Sequence, residues 1–316
     1  MVKRSHRTLL VLCAGLGLLA AACSSSSASP TGAGSSVSGS FPTSISAANG
    51  TVKIKARPHA VVSLSPTATE MLYAIGAGSQ VKAVDKYSDY PKNAPRTNLD
   101  ELAPNIEAIV SYRPDLVVVA GDSTALTGRL AAFGIPVLSL PPAVTLADSY
   151  VQYHQLGRAT GHVQAADAEA AHVKSQIATI VQEAPKSEVG RTYYYELEPS
   201  YYSVTSSTFI GKVLGILGLR NIADDAPSVA SSGGYPQLSA EFIVQSNPDW
   251  VFLADTICCG QTAQSVAARP GWSAMKAVRQ GQVVGLDDDI ASRWGPRIVE
   301  LLQTVETAMS KHPAGT

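Results

Sequence analysis

HVQAADAEAAHVKSQIATIVQEA, His162 to Ala184, is the stretch whose reading decides the fold. Apolar residues recur at Val163, Ala166, Ala170, Val173, Ile177, Ile180 and Val181, three or four apart, and so share one helical face. Gly161 precedes the run and Pro185 follows it, which predicts one unbroken helix of about 22 residues, or about 33 Å. The pattern alone suits an ordinary surface helix equally well. The sequence on either side decides for a connector between two halves.

Toward the N-terminus, AVVSL (60–64) reads as a buried strand, and PTATEMLYAIGAG (66–78) reads as a helix capped by Thr67 and ended by glycine. VKAV (81–84) is a second strand, followed by a proline- and asparagine-rich loop through Pro104. A short helix at 105–112, the strand DLVVVA (115–120), a helix at 123–133 and the strand PVLSL (136–140) complete this half. Toward the C-terminus, RTYYYELE from Arg191 is a strand, followed by a helix at 208–217, a short strand near Asn221 and a helix at 239–245. DWVFLAD (249–255) and QVVGL (282–286) are strands, with helices at 272–279 and 296–312. Alternating apolar strands and helices predict an α/β fold whose parallel sheets are covered on both faces.

The two halves also repeat in letters. NIEAIVSYRPDLVVVA (105–120) set above SAEFIVQSNPDWVFLA (239–254) matches at seven of 16 positions without a gap, at a constant offset of 134. The matches include Glu107 with Glu241, and Pro114-Asp115 with Pro248-Asp249. A weaker echo relates 63–76 to 205–218. Duplication therefore predicts an N-terminal lobe (51–161) and a C-terminal lobe (186–316), joined by the connecting helix (162–185).

Ahead of the lobes stand Lys3, Arg4 and Arg7, then an apolar run from Thr8 to Ala22 too short to span a bilayer comfortably, then a cysteine. Residues 1–22 read as a secretory signal peptide. LAAAC (19–23) resembles the bacterial lipobox, which makes Cys23 the lipidation candidate; a plain secreted protein is the alternative. Residues 23–50 are almost wholly serine, glycine, alanine, proline and threonine and read as a disordered tether. Without the leader, 21 basic residues face 25 acidic ones, so no nucleic-acid partner is implied. Of the four cysteines, only the adjacent Cys258 and Cys259 belong to the folded body. They could form a vicinal disulfide or offer soft metal ligands, but without nearby histidines they make a poor metal site.

Ligands of open parallel sheets sit beyond the carboxyl ends of the strands, so two facing lobes enclose a cleft. Its loops are expected at 65–69, 87–90 and 122–123 in the first lobe, and at 201–207, 255–260 and 287–294 in the second. They supply Tyr87, Tyr90, Tyr201, Tyr202 and Trp294 as aromatic walls, Ser65, Thr67 and Ser206 as hydroxyls beside Pro66, and Arg293 as the only cation. The mixture suits a large, partly flat, neutral ligand. A triply anionic catecholate would call for several arginines. Some of these aromatics, and at least one of Tyr193, Tyr194 and Tyr195, are expected to be packing residues.

VVSLSPTATEMLYAIGAG (61–78), KYSDYP (86–91), NIEAIVSYRPDLVVVAGD (105–122) and SRWGPRIVELL (292–302) together resemble the substrate-binding proteins of ABC importers for vitamin B12, ferric siderophores and haem. KYSDYP and SRWGPRI are most similar to the cobalamin-binding members, while NAPRTNLDELAP (93–104) lacks a tryptophan those members carry and Ile290 replaces an aromatic. The resemblance implies two Rossmann-like parallel-sheet lobes joined by one long helix, the class III periplasmic binding protein fold. It implies delivery of a corrinoid, siderophore or haem to a permease dimer with its ATPase, by an extracytoplasmic protein expected to be a monomer and, through Cys23, anchored to the membrane. It further implies that Glu107 and Glu241 dock onto permease arginines; stabilisation of a helix N-terminus is the alternative role for each.

No enzyme machinery is legible. His59, His154, His162, His172 and His312 fall outside the cleft loops, and there is no P-loop, no GxGxxG after a strand and no HExxH. Neither a cofactor nor a metal site is expected: the run Asp287, Asp288, Asp289 points its acids in different directions. The competing classes are a lipid-anchored surface enzyme, a chelatase or hydrolase on the same scaffold, and a cell-wall lipoprotein with an empty cleft.

Overall fold

The computed structural model describes residues 39–121 and 124–312. The leader, Cys23 and the loop residues Asp122 and Ser123 lie outside the described residues. The first elements are strands β1 (Thr43–Ala47), β2 (Gly50–Ile54) and β3 (Val61–Leu64), helix α1 (Pro66–Ala74), and strands β4 (Val81–Asp85) and β5 (Arg96–Leu99). Helix α2 (Ile106–Ser111), β6 (Leu116–Val119), α3 (Thr124–Ala131), β7 (Val137–Ser139) and α4 (Leu146–Thr160) complete the first lobe, and α5 (Val163–Glu183) leaves it. Then come β8 (Thr192–Glu196), α6 (Phe209–Gly215), β9 (Arg220–Asn221), α7 (Ala240–Ser246) and β10 (Trp250–Leu253). The chain ends with α8 (Thr256–Cys259), α9 (Ala263–Ala267), α10 (Lys276–Arg279), β11 (Val283–Gly285), α11 (Asp288–Ala291) and α12 (Ile298–Lys311).

The strands form a parallel sheet of order β5-β4-β3-β6-β7 and a second of order β11-β10-β8-β9. Reversed, the second reads β9-β8-β10-β11, which matches β4-β3-β6-β7 in strand order. The 134-residue offset carries β6 (116–119) onto β10 (250–253) residue for residue. It also carries a function. Asp115 accepts the N–H groups of His59 and Ala60 at 2.7 and 2.9 Å ahead of β3, and Asp249 accepts Thr192 N–H at 2.9 Å at the start of β8. Each aspartate satisfies backbone donors where a central strand begins.

Helix α5 has 21 residues, about 32 Å, and its apolar face serves both lobes. Ala166 and Ala170 join the core containing Met71, Leu72 and Tyr153, while Val173, Ile177 and Ile180 join the core of Tyr193, Trp250 and Phe252. Tyr193, Tyr194 and Tyr195 are all buried, on the two faces of β8.

Several expectations need correction. The tether reading ran to residue 50, yet β1 and β2 pair as an antiparallel hairpin. Ile45, Val52 and Ile54 bury one edge of that hairpin in the first core, and Arg158 and Gln155 of α4 donate to Ser44 O and Ser46 O at 2.7 Å. Three well-placed apolar side chains and backbone pairing outweigh a composition that looks unfolded. Strand β5 lies inside the expected loop; as an edge strand it buries only Leu99, its one apolar residue. Helix α4 was not expected, although Thr145 and Asp148 form its capping box. Gly157 lets α4 approach α5 at Ala166, where a Cβ would collide. The cap of α1 is Ser65, whose oxygen accepts Ala68 N–H, with Pro66 rather than Thr67 opening the helix. The helix expected at 272–279 breaks at Met275, which is extended.

Candidate functional site

The carboxyl ends of β3, β4, β5, β6 and β7 all point to one side of the first lobe, and the residues following them surround a cavity of about 370 Å³. Ser65, Pro66 and Thr67 follow β3, Tyr87 follows β4, Glu101 and Leu102 follow β5, Ala120 and Gly121 follow β6, and Pro142 follows β7. The far wall is Asp289, Ser292, Arg293 and Trp294, after β11 of the second lobe. The cavity therefore lies between the lobes, at the sheet ends where topology leaves open loops.

Of the expected site residues, Ser65, Pro66, Thr67, Tyr87, Arg293 and Trp294 meet at this cavity. Tyr87 is 44 % exposed, whereas Trp294 is half-buried with its indole N–H donating to Gln152 Oε1 at 2.7 Å. Ser65 Oγ already serves as the cap of α1. Four residues lie elsewhere. Tyr90 is stacked under Arg297, whose guanidinium is 4.4 Å from the ring centroid. Tyr201 packs on Trp272 with ring centroids 5.7 Å apart and takes Arg269 on its ring at 5.4 Å. Tyr202 bridges Gln237, and Ser206 N–H donates to Asp224 at 2.8 Å. The contacts of Tyr201, Tyr202 and Ser206 thus lie within their own lobe rather than at this cavity.

Arg293 is 5 % exposed, and its guanidinium is committed. Nη1 donates to Glu70 Oε1 at 2.8 Å and Asp89 Oδ1 at 3.0 Å; Nη2 donates to Asp289 Oδ1 at 2.7 Å and Tyr87 O at 3.0 Å. Arg297 adds a 2.7 Å bond to the same oxygen of Glu70, a fully buried carboxylate. Arg293 and Arg297 belong to the second lobe and Glu70 and Asp89 to the first, so this network ties the lobes together. It leaves no free cation in the cavity wall among the described residues.

Glu101 and Leu102 were missed because β5 was missed: once that strand is recognised, residues 100–102 fall at a carboxyl end. Glu101 is half-buried, and burial, with Asp85 and Asp100 nearby, pushes its pKa up to about 7. Asp85 at the end of β4 is fully buried. Its Oδ1 accepts Tyr87 and Ser88 N–H at 3.2 and 2.8 Å, while its Oδ2 has no partner. Asp289 is also raised by burial, opposed by Arg293.

The three consecutive acids diverge as expected. Asp287 caps α11 through Ile290 N–H, Asp288 accepts Thr256 and Cys258 N–H at 2.8 and 2.7 Å, and Asp289 pairs with Arg293. Cys258 and Cys259 are joined as a disulfide on the exposed turn α8. Beneath that turn, Asp255 is fully buried with no donor among the described residues for its ionised carboxylate, beside Glu196, which Arg269 grips through two 2.6 Å bonds. Burial and the Glu196 charge push Asp255 up to about 7.

Glu107 and Glu241 are exposed in the first turns of α2 and α7, helices capped alike by Asn105 and Ser239. Among the described residues no cluster of histidine, cysteine or acid could hold a metal, and no helix is long and apolar enough to cross a membrane.

Residues 61–290 match the sequence model described as "Periplasmic binding protein". An uncharacterized ABC transporter substrate-binding lipoprotein of Bacillus subtilis (strain 168) is 31 % identical over 283 residues, covering 86 % of either chain. A cobalamin-binding protein of Halobacterium salinarum is 30 % identical over 282 residues, 85 % of this chain and 74 % of its own. Among solved structures, a possible iron-binding protein from Staphylococcus epidermidis is 25 % identical with a TM-score of 0.68, covering 80 % of this chain and 99 % of its own. The vitamin B12 binding protein of Vibrio cholerae shares the fold at 24 % identity and a TM-score of 0.65, over 81 % of this chain and 98 % of its own.

Proposed function

This chain belongs to the periplasmic binding protein family, and on that premise we propose that it is the extracytoplasmic substrate-binding lipoprotein of an ABC importer. It captures a corrinoid or an iron chelate between its lobes and delivers it to a membrane permease. The observation that carries this reading is the interlobe cavity, built from loops at the carboxyl ends of both sheets and walled by Tyr87, Trp294, Leu102 and Pro142. Apolar and aromatic walls interspersed with polar groups that fix orientation suit a large, partly flat ligand. The names of relatives point the same way: one is a substrate-binding lipoprotein of an ABC transporter and another binds cobalamin.

Anchoring through Cys23 rests on the lipobox-like LAAAC and on the lipoprotein name of the Bacillus relative. Docking through Glu107 and Glu241 is supported by their exposure and by their equivalence under the internal repeat, since a paired permease presents two matched surfaces.

Of the three tryptophans, Trp250 and Trp272 are fully buried and Trp294 lines the cavity. Titration with cyanocobalamin, a ferric hydroxamate and haemin, followed by intrinsic fluorescence, should give saturable quenching with at least one. Trp294→Phe should remove a large part of that signal. No quenching by any of the three would overturn the reading.

A further inference from the structure

The cavity wall holds an acceptor that none of the described residues satisfies. Its acidic and basic lining groups are Glu101, Asp289 and Arg293. Asp289 and Arg293 are bound to each other at 2.7 Å, and Arg293 is further shared with Glu70 and Asp89. Glu101 has no hydrogen-bond or ion-pair partner among the described residues. Behind it stands Asp85 with its bare, buried Oδ2. Lys86, the cation nearest in sequence, is turned onto Asp100 at 2.7 Å. The groups lining and backing the cavity are thus four carboxylates outside Asp85, namely Glu70, Asp89, Asp289 and Glu101, against the two guanidiniums of Arg293 and Arg297. Burial without a partner disfavours the charged form of Glu101, so its carboxylate gains most from a ligand that brings donors.

We propose that Glu101 is a specificity-determining residue of this cleft: it accepts N–H donors from the rim of a neutral or cationic ligand and repels ligand carboxylates. This inference rests on the importer reading above and narrows it. A corrinoid fringed with amides, or a cationic ferric hydroxamate, offers such donors. Haem offers two propionates, which would face Glu101 and Asp289 with no free cation to receive them. The acids and bases facing Glu101 are Asp85 and Asp100 beside it, Lys86 on Asp100, and Asp289 and Arg293 across the cavity. None supplies an uncommitted positive charge.

The test compares Glu101→Gln with the unaltered full-length protein, using cyanocobalamin, a cationic ferric hydroxamate and haemin as probes at pH 8. The amide keeps the shape of the side chain and loses its charge, and unchanged thermal unfolding verifies the fold. The unaltered protein should bind an amide-bearing probe more tightly than haemin, and Glu101→Gln should shift that preference toward haemin by about tenfold or more. The shift should shrink at pH 6, where Glu101 is largely protonated, while Glu101→Gln shows no such change. An unchanged preference in Glu101→Gln, with an amide-bearing probe still bound, overturns the role of Glu101 alone. Tight haemin binding by the unaltered protein at pH 8 does the same. Failure of all three probes overturns the importer reading, and the role of Glu101 with it.

Discussion

Glu70 and Arg293 lie 2.8 Å apart although 223 residues separate them, and their contact joins the first helix of one lobe to the segment entering the last helix of the other. Arg297 shares the same carboxylate oxygen. Deleting one partner of a buried ion pair leaves the others desolvated and uncompensated, at a cost of about 3–5 kcal/mol. Glu70→Ala should therefore lower the melting temperature by roughly 6–20 °C, toward the lower end because Asp89 and Asp289 still engage Arg293. A melting temperature unchanged in calorimetry would show that the network does not hold the lobes.

Asp255 predicts a pH dependence of stability. Its folded pKa of about 7 lies above the unfolded value near 3.8, because burial and the neighbouring Glu196 carboxylate both favour its protonated form. The folded state holds the proton more tightly, so this contribution is complete below about pH 4 and is lost as pH rises through about 7. Asp255→Asn should therefore be stabilised relative to the unaltered protein at pH 8, by roughly 1–3 kcal/mol, and much less so at pH 5. Urea unfolding at the two pH values measures the difference; equal differences would contradict the burial argument.

The two exposed glutamates predict a separation of binding from transport. Glu107→Lys combined with Glu241→Lys should abolish uptake of the ligand in cells while leaving its affinity in solution within about twofold, since both charges are exposed and neither lines the cavity. Uptake that survives the double reversal would remove these residues from the docking role.

Helix α5 predicts small lobe motions. One continuous helix packed into both cores, with the Glu70 network bridging the cleft, resists the hinge closure that several flexible crossovers would permit. Solution scattering should show almost no change in radius of gyration on ligand binding. A large contraction would contradict a stiff connector.

The Cys258–Cys259 disulfide closes the smallest possible loop on an exposed turn, so it restricts the unfolded chain little. Reduction by a phosphine should shift the melting temperature by only a few degrees at most. A drop comparable to that of Glu70→Ala would mean that the disulfide organises more than its own turn.

The sequence by itself determined the architecture: apolar period fixes which residues are buried, and burial on both faces marks a parallel strand. Val61–Leu64, Leu116–Val119 and Trp250–Leu253 are such strands, the face of α5 was readable from its spacing, and the duplication was visible at a 134-residue offset. Elements with few buried apolar residues escaped, as β5 and the β1–β2 hairpin did, because edge pairing is a backbone property that side-chain pattern barely records. The cavity was half legible, since loop position follows from strand direction. Only the tertiary structure decided what each loop residue does there. Arg293 became the tie between the lobes rather than a free cation, Tyr201 turned into its own lobe to stack on Trp272, and Glu101 was left facing the cavity unpaired. These outcomes depend on contacts between residues far apart in the chain, and no local pattern specifies which partner a charge or a ring will meet.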